Sequence, residues 1–324
     1  MRRLLRFAAQ FLVSAAILWA LFRRVDPQKM MAVASGGTVW LLLLAAGMVP
    51  AALFFRALRW YYLLHDVGAT NVGLGRAWGL YLIGVALNLV VPGGLGELAK
   101  AYYGHRATGV REEMLSATLV DKLLGLFSLC LLGAIAAGTY GRMALCAWGC
   151  LLTVAFAAPV FFPRLIPWGL ANWMLRRFLH KQLDVAKLLR TSKCTPVGYA
   201  RALAISLAGW AVTIFISFLV LRAFAPALAL PEVAAVAPFV SLARLVPVAL
   251  GGVGTSDSAV LFLLGPPRHA REVILPGSLT LNVLLVLLPA VVGLVCLWSV
   301  PSHRRMRADE ASLDSLRVQT EDTR

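Results

Sequence analysis

The chain has 324 residues, of which 60% are hydrophobic and only 14% are charged, and its mean hydropathy is +0.79. A soluble domain has about 45–50% apolar and about 25% charged residues, so these values exclude an ordinary soluble protein and predict a polytopic all-α membrane protein. The net charge of +16 does not indicate a nucleic-acid partner, because the lysines and arginines flank apolar runs, where such residues orient membrane helices.

Six apolar runs are predicted to cross the membrane within a single domain over residues 1–300. The first follows a basic N-terminus without a small-x-small cleavage site, so we expect an uncleaved helix. Near the end of the second, Arg56 and Arg59 stand beside three aromatic residues, a mixture typical of a membrane interface. The six predicted spans are Phe7–Phe22, Val39–Leu64, Leu115–Ala137, Met143–Phe162, Tyr199–Phe224 and Ile274–Ser299.

A shorter apolar run, Ala77–Val91, ends at a cluster of proline and glycine. It has about 15 residues and extends roughly 22 Å, less than the ~30 Å hydrocarbon core. Pro92, Gly93 and Gly94 then interrupt the helix, because proline lacks a backbone donor and glycine permits turning conformations. The arm that follows, Leu95–Tyr103, is shorter still. We therefore predict a re-entrant pair of arms joined by a turn.

A second broken element of the same build lies downstream. Its long arm is predicted at Val233–Leu250 and its short arm at Ser256–Leu264. Backbone amides exposed at the start of such a short helix are a natural site for an anion. The predicted turn residues of the two elements are Pro92, Gly93, Gly94, Gly96, Pro247, Gly251, Gly252 and Gly254.

The charge pattern predicts the orientation of the two halves. Residues 164–200 combine many lysines and arginines with aromatic residues, as an amphipathic surface segment does, and the positive-inside rule places them and both termini in the cytoplasm. Residues 301–324 are polar, of mixed charge and predicted to be disordered. The halves, about 39–137 and 199–300, then have opposite orientations. An inverted repeat of this kind is common among secondary transporters.

Charged side chains within apolar sequence are the candidate site residues, because a charge at the bilayer centre costs roughly 2.5–3.5 kcal/mol on insertion scales. Glu97 and Lys100 are three residues apart, so they could form a structural ion pair or line a cavity. Asp121 and Lys122 could face the same cavity, with snorkelling of Lys122 as the alternative. Asn88 could satisfy backbone groups freed at the break.

The second broken element carries two further candidates. Arg244 lies one turn before Pro247, and its planar guanidinium suits an anionic phosphate. Asp257 follows the second glycine cluster, and a bridge between Arg244 and Asp257 is the alternative. The predicted cavity residues are Asn88, Glu97, Lys100, Asp121, Arg244 and Asp257.

Motifs for enzymatic chemistry are missing from the sequence. No metal-ligand spacing, nucleophile elbow or phosphate-binding loop occurs. We therefore predict no metal, no cofactor and no catalytic residue.

Three short motifs occur in the chain. The stretch Asn88–Lys100 reads N-x3-P-G-G-x-G-E-x2-K, Pro247–Asp257 reads P-x3-G-G-x-G-x2-D, and Arg56–Leu64 reads R-x2-R-W-x3-L. Together they resemble the lysylphosphatidylglycerol synthase/flippase transmembrane-region family, whose elements read N-x3-P-G-x2-G-E-x2-R, P-x-S-P-G-G-x-G-x2-E and L-R-W. Lysine and aspartate replace the arginine and glutamate that close the first two, and Ala-Leu replaces Ser-Pro. The resemblance covers about residues 5–300.

The resemblance implies a flippase-like protein of the bacterial inner membrane. In bifunctional members, the membrane region is thought to flip an aminoacylated lipid that a separate cytosolic domain makes. The sequence stops at Arg324, so we expect that synthase domain to be absent and the chain not to be an enzyme. The expected cargo is a lipid or polyprenyl-linked headgroup, anionic or otherwise charged. The alternative is a non-transporting partner or regulator of a lipid-modifying enzyme or glycosyltransferase, bound through residues 164–201.

Overall fold

The computed structural model describes residues 38–90, 96–108, 112–163, 194–246 and 249–299, with a few single positions elsewhere. These ranges contain helices and no strand, as predicted for an all-α protein. A 3-10 turn at Leu250–Gly252 precedes helix α8, and a π-helical segment at Val283–Leu287 joins α9 to α10. The α-helices are α1 (Val39–Asp66), α2 (Leu74–Val90), α3 (Leu98–Thr108), α4 (Glu112–Thr139), α5 (Met143–Phe161), α6 (Pro196–Phe224), α7 (Leu230–Leu245), α8 (Thr255–Leu264), α9 (Arg271–Asn282) and α10 (Leu288–Ser299).

Five stretches are long and apolar enough to cross a membrane, namely α1, α4, α5, α6 and the continuous run Arg271–Leu297. They correspond to five of the six predicted spans, with ends that differ by at most a few residues. The sixth, Phe7–Phe22, lies mostly outside the described residues, as do the predicted amphipathic segment 164–200 and the tail 301–324. The chain is therefore a multi-pass membrane protein.

Both predicted breaks interrupt helices in the structure. The first arm ends at Val90, and the second begins at Leu98 rather than at the predicted Leu95. The long arm α7 ends at Leu245, five residues before the predicted end, because Val246 adopts an extended backbone. How the arms sit in the membrane stays a prediction. The predicted turn residues Pro92, Gly93, Gly94 and Pro247 lie outside the described residues.

The helices pair as if a two-fold axis exchanged the halves. Helices α1 and α6, the first spans of each half, pack against each other, while α2 packs on α10 and α7 packs on α4. Each long arm thus lies against the last span of the other half. Both of these contacts depend on a glycine: Gly293 leaves no room for a Cβ beside the backbone of Leu82, and Gly133 leaves none beside Pro238. The broken elements are therefore held between the halves.

Helix α4 lies at the centre of the protein and α5 at its edge. In the apolar window of α4, 56% of the residues are buried, against 11% in α5. Large apolar side chains such as Trp40, Trp148 and Phe262 are exposed on the outside, which suits contact with acyl chains. Asp121, which lies within α4, is therefore enclosed by protein.

Candidate functional site

A cavity of about 250 Å³ lies between the two halves, walled by α1, α2, α4, α6, α7, α8, α9 and the turn before α8. Most of its wall is apolar, with a few polar groups, as is usual for small-molecule sites. Four cations against two carboxylates give it an excess of positive charge. The charged lining residues are Arg56, Arg59, Lys122, Arg244, Glu97 and Asp121.

In the wall formed by the first half, the carboxylate of Asp121 holds two cations. Asp121 accepts hydrogen bonds from Nε of Arg59 and from Nζ of Lys100, each at 2.6 Å. All three residues are buried, and the Lys100 ammonium also lies 5.0 Å from the ring centroids of Trp60 and Tyr81. Because a buried charge without a partner is costly, this cluster ties α1, α3 and α4 together.

Glu97 forms a separate pair, so the possible ion pair between Glu97 and Lys100 is not formed. Helix α3 begins only at Leu98, which leaves Glu97 on the preceding turn, where the helical spacing does not apply. Glu97 instead accepts a hydrogen bond from Nζ of Lys122 at 2.7 Å. Lys122 therefore does not snorkel to the interface. The Oδ1 atom of Asn88 accepts the backbone N–H of Glu97 at 3.1 Å, which satisfies a donor at the break.

In the second half, the side-chain amide of Asn282 lies between the charged groups of Arg244 and Asp257. Nη2 of Arg244 donates to Oδ1 of Asn282 at 3.0 Å, and Nδ2 of Asn282 donates to both oxygens of Asp257 at 2.9 Å. The possible direct bridge between Arg244 and Asp257 is therefore not formed. Asp257 also accepts from the hydroxyl of Ser278 and from the amide of Gly254. That helix-start amide was expected to be open to an anion, but it is already capped by a carboxylate.

Three residues that line the cavity each have one buried donor without an acceptor among the described residues. Nη2 of Arg56 donates to Thr213 at 3.1 Å, and its guanidinium carbon lies 4.4 Å from the ring centroid of Trp210. Among the described residues, however, Nε of Arg56, Nε of Arg244 and Nε1 of Trp210 are buried without a hydrogen-bond partner. Each unmet buried donor costs about 1–3 kcal/mol. The cavity therefore suits a ligand that brings acceptor oxygens.

Four of the six residues predicted for the cavity line it, namely Asn88, Glu97, Asp121 and Arg244. The other two, Lys100 and Asp257, are buried behind it and are fully enclosed by protein. Sequence reasoning thus located the correct segments. It did not distinguish charges that face the cavity from charges that support its wall.

Arg56 and Arg59 were expected at the membrane interface, and that expectation is wrong. Both line the cavity, and Arg59 is only 5% exposed. The reason is close packing of α4 on α1: a Cβ on Gly125 would lie 3.1 Å from the Arg59 guanidinium. Gly125, which lies between two leucines in α4, was the signal available in the sequence. Nothing in the sequence singled out Trp210 or Asn282.

The comparisons with known proteins agree with the motifs. The family model described as lysylphosphatidylglycerol synthase TM region matches residues 7–293. That stretch includes every residue that lines the cavity, from Arg56 to Val286. A search of curated proteins found no match.

Proposed function

Because the chain belongs to the lysylphosphatidylglycerol synthase transmembrane-region family, we propose that it moves a lipid with an anionic headgroup across the membrane through this cavity. The observation that carries the proposal is that Arg56, Arg244 and Trp210 line the cavity and each have a donor without a partner among the described residues. A phosphate supplies the missing acceptor oxygens, and a guanidinium fork binds phosphate more specifically than a point charge does.

The charge balance of the cavity supports an anionic cargo. Neither Arg56 nor Arg244 has a carboxylate oxygen within 4.0 Å among the described residues, and because both line the same cavity their like charges repel each other. A bound phosphate would relieve that repulsion. A cationic headgroup would increase it, because the lining already has more cations than carboxylates.

The size of the cavity supports a headgroup rather than a whole lipid. Pockets for drug-sized ligands begin at about 300 Å³, and this cavity holds about 250 Å³. A phosphate with a short polar substituent fits that volume, whereas two acyl chains do not. The chains would then stay in the bilayer while the headgroup crosses.

The proposed setting is the bacterial inner membrane, with both termini in the cytoplasm, and the proposed role involves no chemical change to the lipid. A lipid-modifying enzyme as partner, bound through residues 164–201, is the competing proposal. Most of those residues lie outside the described ranges, so the transport assay decides between the two.

The test is lipid movement in proteoliposomes with fluorescent phosphatidylglycerol, which is anionic, and phosphatidylcholine, which is zwitterionic. We expect the wild type to move phosphatidylglycerol faster, and Arg56→Gln to slow that movement roughly tenfold, the loss of one charge-assisted contact. The matched control is Arg222→Gln, which removes an exposed arginine that does not line the cavity. If folded wild-type protein moves neither lipid, transport is refuted and the partner role takes its place.

A further inference from the structure

Asn282 separates the two charged groups of the second half. Its side chain is almost fully buried and lies between Arg244 and Asp257. The hydroxyl of Ser256 also lies 3.3 Å from Oδ1 of Asn282. No other side chain in the described residues bridges these two charges.

The orientation of this amide is determined from both ends. Asp257, as a carboxylate, can only accept hydrogen bonds, so the NH₂ group of Asn282 faces it. Arg244 can only donate, so the amide oxygen faces Arg244. A flipped amide would place donor against donor and acceptor against acceptor. Asp257 therefore fixes Asn282, and Asn282 fixes Arg244.

The consequence is that Arg244 keeps its charge for the cavity. Arg59, by comparison, is in contact with a carboxylate at 2.6 Å. Arg244 has only a neutral oxygen at 3.0 Å, while its Nε lacks a partner among the described residues. A carboxylate at position 282 would neutralise the guanidinium that is otherwise available to a ligand.

The backbone around Asn282 and Arg244 holds this arrangement against the cavity. Asn282 is the last residue of α9, and the π-helical segment that follows it contributes Leu285 and Val286 to the lining. Segments of this kind are frequent at functional sites. On the other side, a Cβ on Gly252 would approach the Cα of Arg244 to 2.8 Å. The arginine is thus packed tightly between the turn and the amide.

We infer that Asn282 is the positioning residue that sets the charge selectivity of the cavity. By holding Arg244 without neutralising it, Asn282 makes the site select a phosphodiester headgroup with net negative charge over a zwitterionic one. The inference rests on the proposed function and adds to it the class of headgroup and the residue that selects it.

The test exchanges the two side chains in the full-length purified protein, as Asn282→Asp with Asp257→Asn. The exchange keeps the net charge and the set of side chains, but it places a carboxylate against Arg244. The probes are dioctanoyl-phosphatidylglycerol and dioctanoyl-phosphatidylcholine, added to protein in detergent. We expect the exchange to weaken binding of the anionic probe at least roughly tenfold, with a smaller effect on the zwitterionic probe.

A purely structural role for Asn282 would weaken binding of both probes equally. We also expect Arg244→Gln alone to lose the preference for the anionic probe. Adding Arg244→Gln to the exchange should cause no further loss, since the exchange and Arg244→Gln act on the same cation. Should the exchange not fold, Asn282→Asp alone gives the second test, with the same loss of preference expected.

The outcomes separate this inference from the proposed function. In one outcome, the folded exchange variant or folded Asn282→Asp binds both probes as the wild type does, while Arg244→Gln loses the preference for the anionic probe. The role of Asn282 is then refuted, and the cavity keeps its proposed function. If the wild type shows no preference for the anionic probe and Arg56→Gln changes nothing, the proposed function fails and this inference fails with it.

Discussion

The two halves of the cavity handle buried charge in different ways. In the first half, the cations other than Arg56 contact carboxylates directly: Asp121 holds Arg59 and Lys100 at 2.6 Å, and Glu97 holds Lys122 at 2.7 Å. In the second half, a neutral amide stands between the cation and the carboxylate. A directly paired cation stabilises the contact between helices, whereas a cation held by an amide remains available to a ligand.

The comparison gives the first half a mainly structural role and the second half, with Arg56, a role in recognition. It follows that charge removal should affect stability in one region and selectivity in the other.

Asp121→Asn should have the largest effect on stability. It leaves Arg59 and Lys100 buried without a carboxylate, and breaking a buried pair in this way costs about 3–5 kcal/mol. The check is thermal unfolding of purified protein in detergent, with the yield as a second readout. A melting temperature equal to that of the wild type would show that these ion pairs do not hold the first half together.

Gly252→Ala should reduce both transport and, to a lesser degree, stability. Gly252 has a φ of 78°, and its Cβ would contact Arg244. Forcing alanine into this conformation costs about 1–3 kcal/mol, and it should displace the arginine, so anionic transport should fall several-fold. The matched control is Gly141→Ala: its φ is 72° but no atom lies near its Cβ. If both variants transport equally well, contact with Arg244 does not matter.

Glu97→Gln should have a small effect on stability, under about 1 kcal/mol, because this ion pair is partly exposed. The side chains of Lys122 and Glu97 are 29% and 21% exposed. The variant frees Lys122 and makes the cavity more positive, so transport of phosphatidylglycerol should be kept or increased. Loss of transport in folded protein would instead indicate that Glu97 contacts the headgroup or carries a proton during transport.

Asp66→Asn should change stability least, because exposed ion pairs contribute little. Asp66 pairs with Arg201 at 2.7 Å at a helix end, and the Arg201 side chain is 41% exposed. It should, however, change the reactivity of Cys194. Burial and then the Asp66 carboxylate raise the pKa of this thiol to about 12, so little thiolate exists at about pH 8. Removing the carboxylate lowers the pKa and should speed alkylation.

The check for Cys194 is maleimide labelling at fixed pH in a background in which the other four cysteines are serine. An Asp66→Glu variant, which keeps the charge, is the control. Equal rates with and without the carboxylate would show that burial alone protects the thiol.

Much of the fold was predictable because membrane helices follow from length and hydropathy. The span predicted at Met143–Phe162 occupies Met143–Phe161, and both breaks fall where proline and glycine interrupt apolar sequence. Exact helix ends were less predictable: α7 ends at Leu245 because of one extended residue, which the apolar pattern does not reveal.

The site was predictable only in part, because pairing depends on contacts far apart in the chain. Spacing along a helix allowed an ion pair between Glu97 and Lys100, but tertiary packing gave each of them a partner on α4. Arg56 looked interfacial beside aromatic residues, yet packing against α6 turns it inward. Asn282 is an ordinary polar residue in the sequence, and only its position between two charges gives it importance.

The central claim is that Arg56 and Arg244 select an anionic cargo. Its most direct test is the ratio of phosphatidylglycerol transport to phosphatidylcholine transport, measured for the wild type and for the double variant with Arg56→Gln and Arg244→Gln. Stability should fall by about 1–3 kcal/mol, because the arginines give up hydrogen bonds to Thr213 and Asn282 but neither has a direct carboxylate partner among the described residues. We expect a wild-type ratio well above one and a ratio near one for the folded double variant. An unchanged ratio in the folded double variant would show that these cations do not select the cargo.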